Sequence, residues 1–336
     1  MVFAKGIGSL LLTLLMFTLF SLKCPKGGKA MSGLANAAIV SFLVEAIFKY
    51  ICGDFLGIEL LGAVGEAAGS MGGPAAAALV GLAMGTNPLF AVASAIAVRG
   101  FGILPGFLCA YLLYFLMKPM DKLPEGIDAI VGSLVSAVFA FTLVSVISPV
   151  VDTVLGLIGD SIIAATNQSP IVMGLLLGGI FKVVCTAPIS SMALTAMLGL
   201  TGLPMGIASV ACFGGTFSNG VVFHKMGLGD KTRCIAVMLE PLTQADIISR
   251  NPVPVYGASF LGGMCSGLIA AIFGIVNNAP GTAAPIPGLL APFAFNSPVT
   301  VVLAMGLAAV AGTAAGFVAS AILKKLDVKV DLSRGE

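Results

Sequence analysis

"MLEPLTQADIISRNPVP", Met238–Pro254, places Glu240, Asp246 and Arg250 among helix breakers: Pro241 follows Glu240 directly, and Pro252 and Pro254 follow Arg250. The stretch sits in a chain of 336 residues that is 58% hydrophobic and 10% charged, with mean hydropathy +1.09. Soluble domains carry roughly 25% charged residues, so this is an integral membrane protein. A spanning helix facing lipid does not tolerate Glu-Pro followed by Asp, Arg and Asn-Pro. A broken segment beside a wet cavity does, because protein and water satisfy its freed backbone groups. The stretch therefore reads as a re-entrant hairpin, with Glu240 near its tip and Gln244 and Asp246 on the returning arm. The expected fold is all-α, with roughly nine to ten transmembrane helices, re-entrant hairpins and an amphipathic connecting helix.

Composition narrows the function class. The net charge is +2, and the 17 basic residues lie at segment ends rather than in one patch, which excludes nucleic acid as a partner and matches basic cytoplasmic loops in a lipid bilayer. The seven cysteines have no C-x-x-C spacing, so neither a metal site nor a disulfide framework is expected; they read as small buried hydrophobes. No phosphate loop, G-x-S-x-G or H-E-x-x-H string appears, so no cofactor and no catalytic residue are assigned. The apolar runs are continuous, unlike the alternating strands of a barrel, and the 43 glycines suit close helix packing in lipid.

Spans are expected at 7–22, 31–50, 74–98, 101–117, 127–147, 169–187, 191–212, 255–277 and 298–323, with broken apolar segments at 53–73, 205–223, 234–254 and 278–297. The apolar run after Lys5 ends in Lys23, Cys24, Pro25 and Lys26 without a small-residue cleavage site, so the first helix is expected to be retained. Basic clusters at Lys23–Lys29, Lys118–Lys122, Lys225–Arg233 and in the tail place these segments, and the C-terminus, in the cytoplasm. Between the front half, 1–149, and the back half, 166–323, residues 150–165 read as an amphipathic connecting helix, with one more tilted span as the alternative. Residues 324–336 form a cytoplasmic tail. Asn87-Pro88, Ser148-Pro149, Ser169-Pro170, Asn251-Pro252 and Ser297-Pro298 mark plausible helix starts.

Three constellations could bind a solute. In the first, Asn219, His224, Glu240, Gln244, Asp246 and Asn251 cluster in sequence between 213 and 254. A carboxylate at membrane depth marks function by default, and carboxylates and amides suit sugar hydroxyls; the plainer alternative has Glu240 in an interfacial loop, paired with Arg233 or Arg250, and His224 solvated. In the second, Gly174, Gly178 and Gly179 give α-helical packing a small face, Lys182 lies mid-span, either snorkelling or facing an acid such as Glu45 or Glu66, and Thr186 and Ser190 flank a Pro188 break. Those hydroxyls serve either a ligand or the backbone carbonyl that proline frees. In the third, Asn87 stands at a break before Pro88.

The string from Ser169 to Gly215, with Pro170–Gly179, the Pro188–Ser191 turn, Leu200–Leu203 and Ala208–Gly215, resembles the membrane IIC component of the bacterial phosphotransferase system, in the branch that includes perfringolysin-regulator type proteins. Gln244 to Asn251-Pro252 is similar to that family's amide-rich stretch. The resemblance covers about residues 130–255 and implies a homodimeric permease of the bacterial inner membrane. Its front half would be scaffold, and its back half would carry a small polar solute, a sugar first, by alternating access. It also implies a IIB protein expected to act in trans as phosphoryl donor, since these 336 residues offer no spare polar segment for a IIB or IIA domain. Glu240 and His224 match the sugar-binding glutamate and histidine of glucose-type relatives in kind, although "LEPLTQAD" departs from their usual string. Two other functions fit the same residues: a proton- or sodium-coupled secondary transporter of a sugar or small acid, and a solute-sensing membrane regulator.

Overall fold

The computed structural model describes every residue except Met1, Leu123, Glu125, Ser190, Gly199 and residues 332–336. All regular elements among the described residues are helical. The helices are α1 (Val2–Lys23), α2 (Gly27–Ala38, continued by π-helical turns Ile39–Leu43 and Ala46–Phe55), α3 (Glu59–Gly69), α4 (Gly72–Met84), α5 (Pro88–Ala97), α6 (Ile103–Met117), α7 (Ile127–Thr166), α8 (Pro170–Thr186), α9 (Ser191–Met197), α10 (Gly202–Met226), α11 (Lys231–Leu239), α12 (Ala245–Arg250), α13 (Pro252–Phe273), α14 (Pro285–Leu290) and α15 (Pro298–Lys325).

Among the described residues, seven helical stretches are long and apolar enough to cross a membrane. The pair α3–α4, bent by 59°, makes an eighth if counted as one span and has the shape of a re-entrant hairpin. The sequence-based count is higher for identifiable reasons. The expected span 74–98 is two helices, broken where Gly85 takes φ 90° and Asn87-Pro88 starts α5. Conversely, 127–147 and the connecting segment 150–165 are one helix of 40 residues with Pro149 inside it. The expected break at 205–223 is absent: α10 runs unbroken for 25 residues. Its glycines are contact points and not breakers. A Cβ on Gly214 would stand 2.7 Å from Ala308 Cβ, and one on Gly206 would overlap the Ile275 carbonyl.

α10 is the axis of the back half, packed by α8, α13, α15, α11 and α14. In the front half α2 packs on α4, α4 on α6, and α7 on α1 and α5. The two sets meet where α12 and the 3-10 turn Pro241–Gln244 lie against α2.

The tightest packing joins α8 to α13. Cβ atoms on Gly174 or Gly178 would run into the carbonyls of Gly267 and Gly263, and Cβ atoms on Gly263 and Gly267 would strike those of Gly178 and Gly174. Gly179, by contrast, faces the Phe260 ring. In lipid the hydrophobic effect does not drive helices together, so such backbone approach supplies the dispersion contacts that hold them. Gly178→Ala or Gly263→Ala is therefore expected to destabilise by about 1–3 kcal/mol. Gly257→Ala, on the same α13 but with open space around it, is expected to be neutral or slightly stabilising. Thermal unfolding in detergent checks this, and equal behaviour of the two sites would contradict the close contact.

Candidate functional site

Two polar layers and one hairpin lie along α10. In the first layer, Thr186 closes α8 and its Oγ1 donates to the Lys182 carbonyl at 2.8 Å. Asn219 Nδ2 donates to Thr186 Oγ1 at 3.1 Å, and Ser259 Oγ donates to Asn219 Oδ1 at 2.7 Å. All three side chains are fully buried. Thr186 and Asn219 are candidates from sequence; Ser259 is not among them. Its signal is the run Ser259, Gly262, Gly263, Ser266 at helical spacing, which puts small and hydroxyl groups on one face of α13. Ser190 lies outside the described residues.

Near the other end of α10, Asn277 Nδ2 donates to Ser209 Oγ and Thr282 Oγ1, each at 2.8 Å, while its Oδ1 accepts the Ala279 N–H at 2.9 Å. Ser191 Oγ donates to the Ala283 carbonyl at 2.6 Å, and Thr195 Oγ1 accepts the Gly281 N–H. This layer ties the segment before α14 to α9 and α10. "NNAPGT" (Asn277–Thr282) holds the signal, as amides beside Pro and Gly in an apolar setting, although sequence alone marks it only as a broken segment.

The hairpin begins with α11, which packs back along α10; Thr216 Oγ1 donates to the Met238 carbonyl at 2.7 Å. α11 ends at Leu239, Glu240 is extended (φ −149°, ψ 104°), and Pro241 starts a single 3-10 turn before α12. The break is local chemistry: proline cannot continue α11, and Glu240 caps the 3-10 turn, with Oε1 accepting the Leu242 N–H at 3.3 Å. That N–H is the only hydrogen-bond partner of the carboxyl among the described residues, although the side chain is 4% exposed. Gln244 is buried on the turn and its Nε2 donates to Thr243 Oγ1 at 3.3 Å.

Lys182 is the second buried ionisable group here. It neither snorkels nor meets Glu45, which pairs with Lys49 at 3.8 Å. It is 0% exposed, with its stem laid against Gly215 and Gly263, where a Cβ on Gly215 would come 2.7 Å from Lys182 Cγ. Its Nζ donates to the Cys212 carbonyl at 3.4 Å. Lys182 and Cys185 are both close enough to influence Glu240.

The other sequence candidates sit elsewhere. Asp246 pairs with Arg233 at 3.8 Å. Asn251 clasps the tail backbone: Nδ2 donates to the Asp331 carbonyl at 3.0 Å and Oδ1 accepts the Asp331 N–H at 2.7 Å. His224 is exposed in the last turn of α10, and Asn87 caps its own helix by accepting the Leu89 N–H at 3.0 Å. The candidate site thus reduces to Glu240, Gln244, Lys182 and Cys185, and the Thr186–Asn219–Ser259 layer joins it through the Thr186 bond to the Lys182 carbonyl.

Glu240 lies outside the seven spanning stretches. Burial raises its carboxyl to about 8; Cys185 pushes the same way, and the Leu242 N–H and Lys182 pull it back. In the unfolded chain that proton leaves near 4.5. Between these values the folded form binds more protons than the unfolded one, so stability falls as pH rises through the window and levels off above about 8. Thermal unfolding in detergent from about pH 5 to about pH 9 is expected to show a loss of a few degrees in the wild type and a flatter profile in Glu240→Gln. Parallel profiles would exclude a buried, proton-holding Glu240.

No curated protein and no solved structure matches the chain. The family model described as "Phosphotransferase system, EIIC" matches residues 28–331, which takes in both halves, the hairpin and the tail clasp. The chain is a multi-pass membrane protein that belongs to the EIIC family of the phosphotransferase system, the family of its transporters.

Proposed function

We propose that this EIIC-type transporter binds a small polar solute, a sugar first among candidates, at Glu240, and carries it by alternating access while a separate EIIB protein supplies the phosphoryl group. Family membership implies the solute and the EIIB partner. The observation that carries the site is Glu240 itself: a carboxyl buried at the break between α11 and the 3-10 turn, with one 3.3 Å hydrogen bond to satisfy it. Buried polar groups normally have at least one partner; this carboxyl has one, and its remaining acceptor capacity suits solute hydroxyls. Its position supports movement as well, since the adjoining turn packs on α2 of the front half and on α8 of the back half. In this account residues 1–149 are scaffold and carry a homodimer contact, 150–165 connect, and 166–323 move. Gln244 adds an amide near the solute, and Asp246, Asn251 and Asn87 hold the surrounding structure.

A second function is favoured by the burial of Glu240, which is 4% exposed. A carboxyl raised to about 8 by burial holds its proton at neutral pH, as a proton-coupled carrier requires.

Uptake into vesicles separates the two, across a panel of sugars and small acids, with and without a phosphoryl-donating system. Phosphorylated solute that accumulates only with the donor is the expected result. Accumulation of unmodified solute driven by a proton gradient would replace the first mechanism by the second. For the solute so found, Glu240→Gln is expected to weaken binding about 10- to 100-fold, the worth of a hydrogen bond to a charged or strongly polarised group; unchanged binding would remove Glu240 from the site.

A further inference from the structure

A cavity of about 420 Å³ opens between α10, α11 and α15, and Glu240 is not among its lining residues. Its walls are apolar: Phe217 and Val221 from α10, Ile235 and Met238 from α11, and Phe317 from α15. Its rim is cationic. Lys225 and His224 stand in the last turn of α10, and Lys231 opens α11 across the mouth. Lys225 Nζ lies 5.1 Å above the Phe317 ring, which holds the cation over the groove instead of letting it extend into water. No acidic side chain lines the cavity among the described residues. The nearest in sequence, Asp230, is engaged as the cap of α11, accepting the Arg233 N–H at 2.9 Å. Ile235 and Phe317 are about half exposed on the outer wall of the bundle.

The solute site has the opposite design. Glu240 is enclosed with a single hydrogen-bond partner among the described residues, whereas this groove is open along its side, apolar in its depth and positive only at one end. A sugar has no use for a floor of phenylalanine and isoleucine. A soluble anion would use the rim and leave the floor in contact with lipid. The ligand that matches both parts is an amphiphile with an anionic phosphate head and an acyl chain.

We infer that the α10–α11–α15 groove is a binding site for an anionic phospholipid, with the phosphate held by Lys225 and Lys231 and one acyl chain lying along Phe217, Ile235 and Phe317. Basic pockets between spanning helices on the cytoplasmic side are electrostatically suited to such heads, and the Lys225–Arg233 segment is assigned to that side by its basic charge. Since α11 leads directly into Glu240, a lipid seated here braces the outer arm of the hairpin.

The test is native mass spectrometry of the full chain in detergent, titrated with phosphatidylglycerol or with phosphatidylcholine of the same acyl chains. Each rim lysine is worth about fivefold toward an anionic head. Retention of phosphatidylglycerol is expected to exceed that of phosphatidylcholine by at least tenfold. Lys225→Gln/Lys231→Gln is expected to bring the ratio below about threefold, and Lys324→Gln/Lys325→Gln, at the end of α15, to leave it in place. Thr313→Phe, which fills the groove from α15, is expected to lower retention of both lipids. Equal retention of the two lipids by the wild type overturns the proposal. So does a preference that survives Lys225→Gln/Lys231→Gln. Displacement of phosphatidylglycerol by millimolar inorganic phosphate would make this a free-phosphate site. If loss of the lysines abolished capture of an EIIB protein but left lipid retention intact, the groove would be a protein-docking surface.

Discussion

The backbone contact between α8 and α13 is the constraint on which the back half rests. Gly174 and Gly178 face Gly267 and Gly263 so closely that no Cβ fits on either side. In water such a contact would be a minor addition to hydrophobic burial. In lipid it is the main attraction available, because a side chain leaving lipid for protein gains little from the transfer itself. The same approach determines what is buried beside it. Gly263 and Gly215 form the slot in which the Lys182 stem lies, and the closeness of α8, α10 and α13 lets Thr186, Asn219 and Ser259 bond directly, without water between them. Enlarging one of these glycines would therefore disturb helix packing, a buried lysine and a polar layer together.

This packing encloses two kinds of buried polar group. Asn277 uses both its amide protons and its oxygen, and Asn219 exchanges bonds with two hydroxyls. Such groups cost little to bury, because folding replaces the water they lose, and they fix the register of the helices they join. Glu240 is of the other kind, with a single 3.3 Å bond inside a protein interior. Burying a carboxyl with so few partners costs free energy. A ligand that completes the carboxyl's bonds recovers that energy on binding, which is why an incompletely satisfied group is stronger evidence of a site than a well-bonded one.

How far the sequence could be read depended on whether a feature was local. The helix starts at Asn87-Pro88, Ser169-Pro170, Asn251-Pro252 and Ser297-Pro298 were legible, since proline acts on its own neighbours; Ser148-Pro149 was not, because α7 is long enough to absorb a proline without ending. The break at Glu240-Pro241 was legible for the same local reason. Glycine misled: in α10 it read as a breaker, when its role is to admit the backbones of neighbouring helices, a fact held by residues far away in sequence. Sequence proximity also gathered Asp246, Asn251 and His224 around Glu240. The fold sends Asp246 to Arg233, Asn251 to the tail and His224 to the rim of the groove.

The unbroken course of α10 gives these pieces a common frame. Ser209, Cys212, Thr216 and Asn219 recur at three- and four-residue spacing on one face, and each meets a different element: the Asn277 segment, Lys182 of α8, the end of α11 and the Thr186–Ser259 layer. From Ser209 to Lys225 the helix rises about 24 Å, most of the thickness of a hydrocarbon core of about 30 Å. A broken α10 would have allowed the two ends to move independently. A continuous one ties the hairpin that carries Glu240, the segment before α14 and the cationic groove to one rigid rod. Under the proposed function, a solute at Glu240 would act on a group whose supporting arm, α11, is anchored to α10 at Thr216 and borders the groove.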